Sequence, residues 1–398
     1  MQKSRHILKA YKFRLKATPE QAGQFSQIAG ACRVVWNVCL RQRVDAYANF
    51  RKSLRSSTQI PEVTLLRKEY DWLEAAPSQV LQQKVRDLDV AYKNFFEHRA
   101  DFPEPKKKGK SADSFRFPQG FRIDNRRVFL PKIGWIGFFK SRDIAGTPRN
   151  VTVSRKGKHW FVSICCEVEQ AAPRRQGKAV GIDMGIAKLC AMSDGEVVEN
   201  PKAFKRYRSK LAKLQRLLAK KKKFSANFRK IKAKINALHT RIADARNDNI
   251  HKTTTRIAKN HGLVVIEDLR VKNMAKSAKG NKGKPGKNVR QKSGLNRSIL
   301  DAGWGEFRRQ LEYKLAWAGG FLIAVDPKNT SRRCPVCGHT AKENRLTQAD
   351  FICAKCGYAD DADVNAAVNI LRAGHARLAC GEIGAVRPLC EAGTLKAA

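Results

Sequence analysis

The sequence predicts an α/β chain of two or three domains, and three observations point there. Short apolar strands alternate with helical stretches through the second half, β-rich segments follow a helical block in the first half, and two CxxC pairs interrupt the C-terminal end. At 398 residues the chain is longer than the roughly 250 to 300 residues at which a single core stops growing. A hydrophobic content of 42% argues against wholesale disorder.

In chain order, ILKAYKFRLKA (residues 7 to 17) alternates apolar and basic residues, the period of a strand with one basic face. From Pro19 to about His98 the period is helical: AGACRVVWNVCLRQRVDAYANF and SQVLQQKVRDLDVAYKNFFEHR carry apolar residues three and four apart. PEPKKKGK (103 to 110) reads as a linker. RRVFLPKIGWIGFF and VTVSRKGKHWFVSICCEVE read as strands, the second folded into a hairpin at RKGKH. PRRQGK (173 to 178) reads as a boundary.

The second half opens on the strand AVGIDMG, followed by KLCAMSDG. Residues 202 to 234 hold 15 Lys or Arg and no acid. Leu211, Leu214 and Leu218, then Phe228, Ile231, Ile235, Leu238 and Ile242, still keep helical spacing, which predicts a helical hairpin with a narrow apolar seam and a wide basic face. LVVIEDL (263 to 269) is a second buried strand. KGNKGKPGKNVRQKSG (279 to 294) is expected to stay disordered until it meets phosphate. Helix is expected again at 298 to 318, strand at FLIAVDP, then the cysteine module, then the helix VNAAVNILRAG, with an unordered tail from 376.

Lys and Arg number 80 against 35 Asp and Glu, a formal net charge of +45. A compact chain so charged repels itself unless it binds a polyanion, and nucleic acid is the natural one. No run of 18 apolar residues exists, and MQKSRHILKAYKF lacks a signal-peptide core. The expected compartment is the cytoplasm, with neither a membrane nor a small-molecule substrate as partner. Of 11 cysteines, Cys32, Cys39, Cys165, Cys166 and Cys190 lie in apolar stretches and read as core filler.

The remaining pattern is chemical. Cys334 and Cys337, then Cys353 and Cys356, form two CxxC knuckles, CPVCGH and CAKCGY, 15 residues apart. Four thiolates at this spacing suit one tetrahedral Zn²⁺ with no position left for water, hence a structural ion. His339 is expected to stay outside the ligand set. Asp183 ends the AVGID strand, Glu267 ends LVVIE, and Asp363 opens the last helix. Singly, such acids are turn formers or helix caps. Together, two strand-end acids and one helix-opening acid gather carboxylates at a sheet edge, where mutual repulsion calls for a hard cation, Mg²⁺ or Mn²⁺. Two such ions about 4 Å apart can hydrolyse a phosphodiester.

GIDMGIAKLCAMSDG, VVIEDLRVKNM, SILDAGWGEFRRQLEYKLAW, the CxxC pairs and DADVNAAVNI, with RDLDVAYKNFF, FLPKIGW and NVTV upstream, resemble the TnpB family over roughly residues 5 to 375. TnpB proteins are transposon-encoded RNA-guided DNA endonucleases ancestral to type V CRISPR effectors. The resemblance implies an RNase H-like, RuvC-type nuclease domain (176 to 330 and 359 to 375) carrying a zinc ribbon (331 to 358). Before it would come a wedge β-barrel (1 to 18 and 111 to 175) interrupted by a helical recognition domain (19 to 110). It implies Asp183, Glu267 and Asp363 as catalytic acids, a guide RNA from a transposon end, target double-stranded DNA, and 5′-phosphate products. Ser78, Gln79, Gln82 and Gln119 fall where the family contacts the duplex flanking the target. A compact CRISPR effector and a non-catalytic zinc-ribbon regulator are the alternatives. Where the family often reads Asp-Arg-Asp, this chain has Asp361, Ala362 and Asp363, so a basic contact is missing at that position, and Asp360 and Asp361 read as capping groups.

Overall fold

The computed structural model describes residues 4–171, 177–281, 283–345 and 347–380, so most of the PRRQGK stretch and the tail from 381 lie outside the described residues. The chain forms two compact units, Ser4–Gln170 and the residues from Ala171 onward.

In the first unit, β1 (Ser4–Arg14) buries Ile7, Tyr11 and Phe13 on one face, as the alternation predicts. Thr18 then starts α1 (Pro19–Phe50): its hydroxyl accepts from the Gln21 amide at 3.2 Å, and the Gln21 side chain accepts from the Thr18 amide at 3.1 Å. α2 (Ser56–Glu69), α3 (Asp71–Glu74) and α4 (Ser78–Phe96) complete the helical block. The strands β2 (Ser114–Phe117), β6 (Thr147–Lys156) and β7 (His159–Ala171) join β1 in a sheet of order β1-β7-β6-β2, with the β6–β7 turn at RKGKH as expected. β3 (Arg122–Asp124), β4 (Arg127–Leu130) and β5 (Gly134–Gly137) form a separate meander, bridged to the end of β1 at Leu15 and Phe138. Asp87 on α4 accepts from Arg116 on β2 at 2.6 Å, which seats the helix against the sheet.

The second unit is built on a five-stranded sheet of order β10-β9-β8-β11-β12. β8 (Lys178–Asp183) lies at its centre, parallel to β11 (His261–Glu267), which is parallel to β12 (Phe321–Val325). β9 (Lys188–Met192) and β10 (Val197–Glu199) add antiparallel strands. α5 (Ala203–Ala219) and α6 (Ala226–Asn260) are the expected basic hairpin, closed by Leu211, Ile235, Leu238 and Ile242. α7 (Val271–Met274), α8 (Val289–Ala302) and α9 (Trp304–Ala318) follow. The ribbon strands β13 (Asp350–Ile352) and β14 (Ala359–Asp361) precede α10 (Ala362–Ala379). No helix among the described residues is long and apolar enough to cross a membrane.

Two expectations are corrected. Lys282 lies outside the described residues, but the rest of 279–294 is not structureless. Gly280 and Pro285 form a bridge, and α8 starts at Val289, well before 298. Asn281 Oδ1 accepts from the Lys284 amide at 2.7 Å, Lys292 Nζ donates to the Met274 carbonyl at 2.7 Å, and Ile299 and Ala302 are buried. Local hydrogen bonds and one apolar face thus outweigh the Gly and Lys composition. At the other end, residues 376–379, expected to begin an unordered tail, are the last turn of α10. Of the core cysteines, Cys32, Cys39, Cys166 and Cys190 are buried and Cys165 is half-buried.

Strand alternation decides what each sheet face carries. Val180, Ile182, Val264 and Ile266 pack into one core with Ile250 and Ile257 of α6 and Phe307, Leu311 and Leu315 of α9. Val265 and Ile323 pack with Ile370 of α10 on the other side. Gly181 lies directly under α10: a Cβ there would stand 2.1 Å from the Ala367 carbonyl oxygen and 2.7 Å from the Leu371 nitrogen. Gly181→Ala is therefore expected to destabilise the full chain by about 3 kcal/mol through overpacking, whereas Gly294→Ala, with nothing within 4 Å, should be neutral or stabilising. Urea unfolding of both variants checks this; equal stabilities would refute the close contact.

Candidate active site and metal centre

The same alternation places Asp183 in phase with Gly181, and Glu267 in phase with Val265, on the face that α10 covers. The β8–β11 register pairs Ile182 with Ile266, so the two acids end adjacent parallel strands at one level. Asp363 enters from the first turn of α10. Glu267 is 9% exposed, Asp183 is half-buried, and the Asp363 side chain is 27% exposed.

Burial, followed by the charges of Glu267 and Asp363, pushes the Asp183 carboxyl up to about 7, with Arg345 opposing. Burial also raises Glu267, against a hydrogen bond from Thr330. Asp183 thus lies in the field of the other two carboxylates, yet the oxygens of the three do not all lie within 4.8 Å of one another; among the described residues only the four cysteines cluster so tightly. Two cations flank Asp363. Arg345 Nη2 lies 3.4 Å from its Oδ1 and Lys188 Nζ 3.7 Å from its Oδ2. The basic contact absent at Ala362 is therefore supplied from β9 and from the ribbon, while Ala362 itself is buried with Cys334, Phe351 and Cys353.

Asp361 is the N-cap of α10, accepting from the amides of Asp363 at 2.9 Å and Val364 at 3.2 Å, and it pairs with Lys188 at 2.9 Å. Asp360 accepts from the Tyr358 hydroxyl at 2.7 Å. Both are engaged as capping and bracing groups. Glu267 Oε1 accepts from the Thr330 hydroxyl at 2.7 Å. Sequence reasoning missed Lys188, Arg345 and Thr330. Lys188 opens the returning strand five residues after Asp183, but its partners are Asp361 and Asp363, which no local register reveals.

Cys334, Cys337, Cys353 and Cys356 converge with their sulfurs within 4.8 Å of one another, at 3.6 Å for Cys334–Cys356 and 3.5 Å for Cys337–Cys353. Four sulfurs about 2.3 Å from one ion stand about 3.8 Å apart, so the donor set fits tetrahedral Zn²⁺. The knuckles match: Gly338 N donates to Cys334 O and Gly357 N to Cys353 O, with φ of 74° and 73° at the two glycines. His339 stands outside this sulfur set, and its backbone carbonyl accepts from the Cys334 amide.

In the first unit, Ser78, Gln79 and Gln82 lie on the opening turns of α4. The Gln79 amide approaches to 3.9 Å of where a Cβ of Gly120 would lie, which brings it beside the turn carrying exposed Gln119. Gln79 Oε1 is buried without a hydrogen-bond partner.

With EDTA-treated protein, the Asp183 carboxyl sets a pH dependence. Its folded pKa of about 7 exceeds the roughly 3.9 of an unfolded aspartate. Its contribution to stability is therefore full below about pH 4 and is lost as pH rises through 7. Asp183→Asn should raise the Tm of metal-free protein at pH 8 and change it little at pH 4. A Tm gain independent of pH would contradict the assignment.

A family described as "Probable transposase" matches residues 163–278, one described as "Cas12f1-like, TNB domain" matches 304–370, and one described as "Helix-turn-helix domain" matches 1–52. The last description does not fit the local fold, since residues 4–50 form one strand and one continuous helix. The chain is 49% identical over 388 residues, 96% of each chain, to an Escherichia coli (strain K12) protein named "Putative RNA-guided DNA endonuclease InsQ". It is 36% identical over 390 residues, 96% of this chain and 92% of the other, to a "Putative RNA-guided DNA endonuclease" of Streptomyces pristinaespiralis. In fold it is similar to the protein in "Cryo-EM structure of the Cas12f1-sgRNA-target DNA complex", with a TM-score of 0.56, 15% identity, and coverage of 92% of this chain and 99% of that one. Near-full-length identity at this level, on a RuvC-containing fold, establishes that the chain belongs to the TnpB family.

Proposed function

We propose that this chain is an RNA-guided, Mg²⁺-dependent DNA endonuclease that cuts double-stranded DNA beside a short adjacent motif, using RNA derived from a transposon end. The observation that carries this reading is the placement of Asp183 and Glu267 at the ends of adjacent parallel strands, with Asp363 in the first turn of the helix that covers them, in a chain of net charge +45. Three carboxylates in partial burial are costly unless a cation neutralises them. The names of the relatives, RNA-guided DNA endonucleases, agree with it.

In this reading Asp183, Glu267 and Asp363 are the oxygen donors for Mg²⁺ or Mn²⁺. A cation bound to these three acids would supply activation of water and neutralisation of charge on the leaving oxygen, chemistry that would leave a 5′-phosphate. Lys188 and Arg345 hold Asp363 in place. The basic hairpin and the other Lys and Arg surfaces hold the guide–target heteroduplex by its backbone while pairing reads the sequence. Cys334, Cys337, Cys353 and Cys356 hold one structural Zn²⁺. Residues 1 to 18 and 111 to 175 act as a wedge barrel around the recognition helices of 19 to 110, and Ser78, Gln79, Gln82 and Gln119 touch the flanking duplex. The working compartment is the cytoplasm, on the nucleoid.

The test is cleavage of a plasmid bearing the matching target by protein purified with its RNA. Asp183→Ala should cut at less than about one-thousandth of the wild-type rate and retain its RNA; continued cutting would overturn the acid assignment. RNase treatment of the wild-type complex should abolish cutting, and unchanged cutting would overturn RNA guidance.

A further inference from the structure

Between the last sheet strand and the first cysteine knuckle runs the segment DPKNTSRRC, which has no catalytic residue of its own. Thr330 lies in it, 7% exposed, and makes two contacts that join separate parts of the unit. Its hydroxyl donates to Glu267 Oε1 at 2.7 Å, with the Pro327 carbonyl a more distant acceptor at 3.1 Å. Its carbonyl accepts from Asn369 Nδ2 at 2.9 Å. Asn369, also 7% exposed, donates again to the Arg333 carbonyl at 2.7 Å, and Asn365 reaches the same carbonyl at 3.3 Å.

We infer that Thr330 is a positioning residue for Glu267, clamped by Asn369, so that the helix carrying Asp363 also orients the acid of the neighbouring strand. The inference rests on the reading of Glu267 as a cation donor. Its physical basis is the inventory of donors. A carboxylate at 9% exposure has few water partners, and a buried acceptor left unpaired costs roughly 1–3 kcal/mol. The Thr330 hydroxyl fixes Oε1 and so leaves Oε2 as the oxygen to face the other acids. The hydroxyl in turn has little freedom, because the backbone from Thr330 to Arg333 is tied to α10 through the carbonyls of those two residues. Asn369 and Asn365 lie on the α10 that begins at Ala362, so one rigid helix sets both Asp363 and the clamp. The clamp also lies at the root of the ribbon, four residues before Cys334, which gives that zinc module a second role in holding the segment taut.

Residues that orient a metal-binding carboxylate typically change cation affinity 10–100-fold when removed. The experiment titrates Mn²⁺ into the zinc-loaded full chain and follows free Mn²⁺ by electron paramagnetic resonance. Thr330→Val keeps the side-chain shape and removes the donor; it should weaken Mn²⁺ binding about tenfold or more, and Thr330→Ala should do the same. Thr330→Ser should restore binding to near wild type. Glu267→Gln serves as the reference. If it leaves Mn²⁺ binding unchanged, the reading of the acid site fails. If it weakens binding while Thr330→Val and Thr330→Ala do not, the positioning role is overturned. Serine failing to restore what valine loses, with zinc content and Tm unchanged, would likewise contradict a role carried by the hydroxyl.

Discussion

The candidate site depends on one contact, the seating of α10 on β8. Gly181 has no side chain, so the backbone of Ala367 and Leu371 comes down onto the central strand, and Gly374 leaves similar room beside Val265. With α10 seated there, strand alternation does the rest. It sends Asp183 and Glu267 to the covered face, and the helix delivers Asp363 and the Asn369 clamp to the same edge. A helix held further out by a single methyl group would carry its acid away from the other two.

That arrangement concentrates negative charge in a chain whose charge is otherwise overwhelmingly positive. Burial and repulsion push Asp183 up to about 7, while Lys188 and Arg345 flank Asp363. The three acids do not close on one another: Glu267 is held by Thr330, and Asp363 by Lys188 and Arg345. The ribbon is bound into this balance, since it contributes Arg345 directly and Thr330 at its root. The metal expected on the cysteines and the carboxylates expected to hold Mg²⁺ are thus mechanically one assembly, although their chemistry differs.

Much of this was legible in the sequence because it is local. Period-two burial in β1, apolar runs in β8 and β11, the seam of α5 and α6, and the spacing of Cys334, Cys337, Cys353 and Cys356 each follow from neighbours a few residues apart. The acids were legible as strand ends and a helix start. What escaped was long-range or compositional. Lys188 meets Asp361 across 173 residues, and Thr330 meets Glu267 across 63. The start of α8 was hidden by the glycines and lysines of 279–294; the hydrogen bonds that Lys292 and Asn296 make to the carbonyls of Met274 and Ala275 cannot be read from composition. The last turn of α10 was missed because it follows a glycine, Gly374, that ends no helix and instead packs against Val265.

The central claim is that Asp183, Glu267 and Asp363 form one divalent-cation site. The most direct measurement is anomalous diffraction at the manganese edge from crystals of the full chain grown in Mn²⁺. The expected result is manganese density bonded to oxygens of all three residues, separate from the zinc signal at the four cysteines. Zinc density at the ribbon with manganese absent from the acids at saturating Mn²⁺, or bound to carboxylates elsewhere, would contradict it.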